Sequence, residues 1–113
     1  MPIYKTMECD VLVIGGGVAG LGAAIKASNL SDRVILVDKS KVARSGSSPF
    51  VNYMWLVKLP EEDTETYMTE IIERGEYLSD QEWVKTYLEK VHPLSVELEQ
   101  WGQEFGKKIF KVD

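Results

Sequence analysis

The sequence predicts an α/β fold in which a strand–helix–strand (βαβ) unit is followed mainly by helices. Three features support this prediction. The apolar run Val11–Ile14 leads straight into a glycine-rich turn, a small-residue helical stretch follows, and a second apolar run at 33–37 ends on Asp38. This order of elements is typical of the first crossover in a buried parallel sheet.

The glycine-rich turn after the first strand has the spacing Gly-x-Gly-x-x-Gly. Gly15 allows a sharp turn out of the strand, Gly17 allows the backbone to approach a pyrophosphate, and Gly20 allows close helix–sheet packing. The helix starts with Val18 and Ala19, and its unpaired N–H groups and partial positive charge point toward the phosphates. These features predict a Rossmann-like unit that binds a dinucleotide.

Asp38 lies 18 residues after Gly20, near the spacing at which an acid bonds an adenosine ribose hydroxyl. An acid there disfavours a 2′-phosphate, so a phosphorylated nicotinamide cofactor is not expected. The alternative is a glycine-rich turn in an ordinary α/β domain that binds no nucleotide. That alternative accounts for the glycines, but it does not account for Asp38 or for the uninterrupted apolar strand that precedes the glycines.

The first strand is expected over residues 8–14, the helix over 18–29 and the second strand over 33–38. Residues 39–52 form a polar, glycine-containing connection. It is either a solvated loop between domains or a loop that wraps the cofactor, and the second interpretation is favoured because ligands lie at the carboxyl ends of parallel strands. The candidate cofactor-binding residues in it are Lys39, Ser40, Arg44, Ser45, Gly46 and Ser47.

The apolar residues 53–59 predict a short strand or a buried helical turn that ends at Pro60. Asp63 or Thr64 is expected to cap a helix over 63–75. One face of that helix carries the apolar residues Tyr67, Met68, Ile71 and Ile72.

Ser79 or Asp80 is expected to cap a further helix, which His92 and Pro93 should interrupt because proline lacks an N–H and disfavours helix just before it. A new helix should begin at Pro93, and Gly102 and Gly106 should break its pattern. The expected buried faces carry Trp83, Val84, Tyr87, Leu88 and Val91, then Leu94, Leu98, Trp101 and Phe105. Residues 107–112 are expected to form a strand. For His92 a helix-end position is favoured over a catalytic or metal-binding role, and no histidine, cysteine and aspartate cluster has metal-ligand spacing.

Composition restricts the class of protein. The 113 residues are enough for one domain, and 44% hydrophobic and 27% charged residues are ordinary for a soluble protein. The net charge of −5, from 13 basic and 18 acidic side chains, argues against a nucleic-acid partner. Backbone dipoles, rather than a cluster of lysine side chains, are therefore expected to be the main groups that bind the cofactor phosphates.

The cysteine content and the hydropathy of the sequence indicate the cellular location. The single cysteine, Cys9, cannot form an internal disulfide, which fits a reducing compartment. No apolar run reaches the ~18 residues that a transmembrane helix needs, and the first ten residues resemble no signal peptide. A cytoplasmic location, or a soluble subunit held at a membrane through a complex, is expected.

Two strands cannot form a doubly wound sheet, which needs several parallel strands covered on both faces. The chain is therefore expected to be the first piece of a larger protein, or a subunit that a partner completes. An exposed strand edge would otherwise favour association.

The segments DVLVIGGGVAGLGAA, VILVDKS and ARSGSS resemble the start of succinate dehydrogenase and fumarate reductase flavoproteins, a family that also includes L-aspartate oxidase and the adenylylsulfate reductase alpha subunit. YLSDQEWVKTYLEK and ELEQWGQEF resemble the paired helices that follow the flavin loop. The resemblance implies FAD rather than NAD, with the pyrophosphate at the glycines, the ribose at Asp38 and the rest of the cofactor along the 39–47 loop.

Two departures from the family pattern matter. Gly46 stands where many members have a histidine bonded to the flavin, so non-covalent FAD is expected. Residues 49–53 replace an alanine-glutamine-glycine-glycine-like run, which leaves the substrate class open. By the resemblance, residues 1–52 are the FAD-binding unit with its flavin loop, and residues 53–113 are a mainly helical continuation of the same domain.

The first functional hypothesis is the FAD-binding N-terminal segment of a fumarate reductase-like oxidoreductase that passes hydride or electrons between a small substrate and an electron carrier. The second is an adenylylsulfate reductase alpha-like segment that works with an iron–sulfur subunit. The third is a non-catalytic subunit that completes a partner's sheet. The expected partners are FAD and the remainder of the flavoprotein or a second subunit, and no catalytic residue can be assigned.

Overall fold

The computed structural model describes residues 2, 5–50 and 56–110. The chain divides into two compact units, Met1–Tyr53 and Met54–Asp113. The first unit contains both strands and one helix, and the second contains two helices. The expected α/β class is therefore observed.

The first unit is the strand–helix–strand arrangement: β1 is Val11–Ile14, α1 is Val18–Ser28 and β2 is Val34–Val37. The strands pair in parallel, with Val11 opposite Val34 and Ile14 opposite Val37. Both strands are shorter than expected. Just before them, the Ser31 hydroxyl donates to Oδ2 of Asp10 at 2.7 Å, and the Asp10 amide donates to the Arg33 carbonyl at 2.9 Å.

Helix α1 packs closely on the strands because Gly20 has no side chain. A Cβ at Gly20 would lie 1.8 Å from the Gly15 carbonyl oxygen and 3.5 Å from Cγ1 of Val13. The glycine at this position thus allows the helix–strand contact that the sequence predicts. A short 3₁₀ turn, Ser48–Phe50, follows the unit's polar loop.

The second unit contains α2, Thr64–Arg74, and α3, Gln81–Glu104, which pack against each other. Of the two predicted caps at each helix start, the structure selects the aspartates. Asp63 accepts a hydrogen bond from the Thr66 amide at 2.9 Å, and Asp80 accepts from the amides at positions 82 and 83 at 3.0 and 3.2 Å. Among the described residues of this unit, the buried apolar side chains are those of Leu88 and Val91.

The predicted interruption at His92 and Pro93 is wrong, because α3 continues through Pro93, and His92 accordingly lies inside the helix rather than at its end. Proline removes one backbone donor and disfavours helix before it, at a cost of about 3 kcal/mol in a helix interior. Burial on the same helix opposes that cost: Val91 and Ser95 are both buried, and the Ser95 hydroxyl bonds the Val91 carbonyl at 2.6 Å.

The predicted apolar face of α3 is buried only in part. Trp83, Leu94 and Phe105 are 73%, 50% and 79% exposed. Tyr87 is also exposed, although its hydroxyl donates to the Leu56 carbonyl at 2.5 Å. Helix α2 is short and covers one part of a long helix, so residues that share the periodic face have different surroundings.

The strand expected at 107–112 is absent from its described part, residues 107–110. The Lys107 amide bonds the Gly102 carbonyl at 2.8 Å, and the Phe110 amide bonds Oε1 of Glu99 at 2.5 Å. These contacts fold the segment back against α3, and Gly102 lies inside the helix rather than ending it.

The strand or helical turn predicted at 53–59 is not observed over residues 56–59, and residues 53–55 lie outside the described part of the chain. The buried residue of this segment is Lys58, whose Nζ donates to the carbonyls of Leu59 and Glu62 at 2.9 and 3.1 Å. Within the described residues, no helix is both long and apolar enough to cross a membrane.

Candidate cofactor site

A cleft in the first unit opens at the carboxyl ends of β1 and β2 and has a volume of about 530 Å³. This is the position where open parallel sheets bind ligands. Its lining combines the last residue of each strand, the glycine turn and part of the polar loop: Ile14, Gly15, Gly16, Gly17, Val37, Asp38, Lys39, Ser45 and Gly46.

The turn out of β1 depends on glycine at position 15. Gly15 has a φ of +107°, a conformation that L-residues rarely adopt. Its amide N–H donates to the Val37 carbonyl at 2.8 Å, which extends the parallel ladder beyond β1. The glycine turn therefore begins directly beside the end of β2.

Gly17 is the N-cap of α1, and no side chain caps this helix. The first turn also carries no acidic residue. The first amide groups of a helix have no intrahelical acceptor, so an uncapped start can bind an anion. Val18 and Ala19 contribute to that first turn, as the sequence predicts.

Gly16 is a site residue that the sequence analysis did not identify. It is buried, its N–H donates to Oδ2 of Asp38 at 2.5 Å, and its carbonyl accepts from the Ala43 amide at 3.0 Å. A Cβ at this position would lie 2.8 Å from Oδ2 of Asp38 and 3.1 Å from Cα of Val42. The signal in the sequence was a third glycine at an unrestricted position of the motif.

The Asp38 carboxylate accepts three hydrogen bonds from the described part of the chain. Oδ2 accepts from the Gly16 amide and from the Ser45 hydroxyl, both at 2.5 Å, and Oδ1 accepts from the Ser40 amide at 2.7 Å. The Ser45 hydroxyl, followed by the two amides, lowers the pKa of Asp38 below its usual range. The cleft therefore carries a fixed negative charge at neutral pH.

The loop after β2 approaches the glycine turn at Gly46. This residue has a φ of +80°, and a Cβ there would lie 3.3 Å from Cα of Gly17. A residue with a side chain would be strained at this position. Two glycines thus allow the loop and the start of α1 to come together.

Of the remaining predicted cofactor-binding residues, some lie at the cleft and others do not. Lys39 lines the cleft at the strand ends and Ser40 contributes its amide to Asp38, whereas Arg44 and Ser47 are exposed and do not line this cleft. Val18 lines a smaller neighbouring cleft of about 270 Å³. The apolar walls formed by Ile14 and Val37 were missed, although Ile14 ends the first predicted strand and Val37 directly precedes Asp38, the last residue of the second.

The comparisons with known proteins agree on one family. The family model described as "FAD binding domain" matches residues 10–111. The fumarate reductase flavoprotein subunit of Mycobacterium tuberculosis is 28% identical over 91% of this chain and 18% of its own length. The 8-methylmenaquinol:fumarate reductase flavoprotein subunit of Wolinella succinogenes is 32% identical over 94% of this chain and 18% of its own.

The chloroplastic L-aspartate oxidase of Oryza sativa is 32% identical over 71% of this chain and 12% of its own length. No solved structure matches the chain. The chain thus spans less than a fifth of the length of these three relatives.

The match over residues 10–111 covers both units and includes the whole of the cleft described above. It indicates FAD as the cofactor. The chain therefore belongs to the FAD-binding-domain family, and it resembles the N-terminal segment of the fumarate reductase and L-aspartate oxidase flavoproteins in that family.

Proposed function

We propose that this chain is the FAD-binding N-terminal segment of a fumarate reductase-like flavoprotein oxidoreductase. The observation that carries the proposal is the pairing of an uncapped helix start at Gly17 with the Asp38 carboxylate in one cleft. The helix start favours an anion, and the carboxylate accepts hydrogen bonds from hydroxyl groups. The adenosine diphosphate half of FAD offers both, as its pyrophosphate and its ribose hydroxyls.

The residues of the cleft fit this cofactor. Gly15, Gly17 and Gly20, with the amides of Val18 and Ala19, would hold the pyrophosphate, and the close contact of Gly20 with Gly15 sets the direction of α1. Asp38 would accept from the adenosine ribose. The loop residues Lys39, Ser40, Arg44, Ser45, Gly46 and Ser47 would line the path toward the flavin.

Bound FAD supplies two-electron redox chemistry, and this segment's residues contribute binding and orientation. Gly46 has no side chain that could bond to the flavin, which supports non-covalent FAD. The residues that bind the substrate, contact the electron carrier and catalyse the reaction would lie in the remainder of such a flavoprotein. The partner is the remainder of a longer flavoprotein or a second subunit, for which an iron–sulfur protein is one candidate.

A flavin spectrum of the purified protein, taken before and after acid precipitation, tests the proposal. We expect yellow colour that passes into the acid supernatant. Yellow colour in the pellet would contradict the non-covalent assignment. A folded protein that neither carries flavin nor binds added FAD would favour a scaffold that completes a partner's sheet.

A further inference from the structure

We propose that Ser45 is a positioning residue for the Asp38 carboxylate, and that this carboxylate, bonded also by Gly16 and Ser40, can accept one ribose hydroxyl rather than two. The inference rests on the proposed function, because it concerns how the same cleft recognises the nucleotide half of its cofactor. Nothing in the cofactor assignment itself requires either part of it.

The number of open acceptor positions follows from the hydrogen bonds. An ionised carboxylate offers about four lone-pair positions, two on each oxygen. The Gly16 amide and the Ser45 hydroxyl fill Oδ2, and the Ser40 amide takes one position on Oδ1. One position on Oδ1 remains, whereas two neighbouring ribose hydroxyls that both donated to this carboxylate would need two.

Among the described residues, Ser45 supplies the side-chain donor to this carboxylate, since the other two donors are backbone amides. The loop is attached to the glycine turn independently, because the Ala43 amide bonds the Gly16 carbonyl at 3.0 Å. Removal of the Ser45 hydroxyl should therefore open one acceptor position on Oδ2, while the two amide bonds to the carboxylate and the attachment of the loop remain.

Electrostatics provide a readout that needs no ligand. The Ser45 hydroxyl is the largest cause of the lowered Asp38 pKa, ahead of the Ser40 and Gly16 amides, and the positive charge of Lys39 adds a smaller effect. In Ser45→Ala the pKa of Asp38 should rise toward its usual range. A serine with a purely structural role elsewhere in the unit would not change it.

The experiment uses the full chain with ADP, 2′-deoxy-ADP and 3′-deoxy-ADP, and compares wild type, Ser45→Ala, Ser45→Thr and Ser28→Ala by calorimetry. Ser28 is a matched control because it is exposed and, among the described residues, its hydroxyl bonds within α1, to the Ile25 carbonyl. In the wild type we expect one deoxy analogue to bind roughly tenfold more weakly than ADP, while the other binds like ADP. Ser45→Ala should lose this selectivity, and Ser45→Thr should retain it.

Two results would overturn the inference. If both deoxy analogues bound equally weakly to the wild type, recognition of a single hydroxyl would be contradicted. Unchanged selectivity between the analogues in Ser45→Ala would contradict the positioning role of Ser45.

A carboxyl ¹³C NMR titration of ligand-free protein, in wild type, Ser45→Ala and Ser28→Ala, tests the positioning role separately. Binding of FAD with an unchanged Asp38 titration in Ser45→Ala would overturn the positioning role alone, whereas absence of both FAD and ADP binding in a folded wild type would overturn the proposed function.

Discussion

The backbone N–H of Gly16 donates to Oδ2 of Asp38 at 2.5 Å, across the carboxyl ends of the two paired strands. This bond joins residues 22 positions apart and links the glycine turn to the loop that follows β2. The bond from the Ala43 amide to the Gly16 carbonyl adds a second link. Gly16 thus organises the cleft even though the dinucleotide motif places no requirement on it.

Gly16→Ala should destabilise the protein and weaken FAD binding, since the new Cβ would lie 2.8 Å from Oδ2 of Asp38 and 3.1 Å from Cα of Val42. Overpacking of this kind costs about 1–3 kcal/mol of unfolding free energy, measurable by urea denaturation. Gly22→Ala is the matched control, because a Cβ there meets nothing within 4 Å. The control should gain up to about 1 kcal/mol from helix propensity, and equal effects of the two substitutions would contradict the steric argument.

The lowered pKa of Asp38 predicts how pH affects stability. A carboxyl whose folded pKa is below its unfolded value stabilises the fold when ionised, above the usual pKa of about 4. That contribution is lost as the pH falls through the lowered folded pKa. Glu62 and Asp63, whose pKa values are also lowered by hydrogen bonds, should add to the same acid sensitivity.

Asp38→Asn separates the pH-dependent stability that Asp38 contributes from the contributions of Glu62 and Asp63. We expect the variant to remain folded at neutral pH, to bind FAD more weakly, and to lose less stability than the wild type between neutral and acidic pH. Urea denaturation at several pH values measures the difference. An identical pH profile in wild type and Asp38→Asn would show that the Asp38 bonds do not stabilise the fold.

Features that depend on neighbouring residues could be predicted from the sequence. Gly15 and Gly20 have the backbone and packing roles that their spacing indicates, and Asp63 and Asp80 cap the two helices that follow. Each of these depends on a turn or a cap that a few consecutive residues define. The strand order and the parallel pairing follow from the same local pattern.

Features that depend on distant contacts could not be predicted. The bonds on Asp38 require the loop to fold back so that Ser45 meets the carboxylate, and residue spacing does not reveal this. The exposure of Trp83 and Phe105 has a related cause, since periodicity indicates which residues share a helix face but not what covers that face.

Pro93→Ala should stabilise the second unit. The proline interrupts the backbone bonding of α3, and alanine would restore one N–H donor and a better helix former. The gain should be at most about 3 kcal/mol, since the proline also limits the unfolded chain. An increase in the urea midpoint at constant slope would confirm it, and Leu94→Ala, at a half-exposed neighbouring position, serves as the control for a local change in side chain. A lower midpoint in Pro93→Ala would mean that the proline is favourable in this helix.

Gly17→Val should abolish FAD binding while the fold persists. The side chain would meet no close protein atom at its Cβ, but it would compete with the cofactor for space. The nearest atoms to a Cβ at Gly17 are Cα of Gly46 at 3.7 Å and the carbonyl oxygen of Ser45 at 3.8 Å, which are ordinary contact distances. A branched side chain would instead occupy the space in front of the uncapped first turn of α1, where the pyrophosphate is proposed to bind. FAD content and urea denaturation, measured on Gly17→Val and on Gly17→Ala as the smaller matched change, separate binding from stability. Unchanged FAD content in Gly17→Val would place the pyrophosphate elsewhere, and a loss of binding in Gly17→Val with near-normal stability would locate it at the start of this helix.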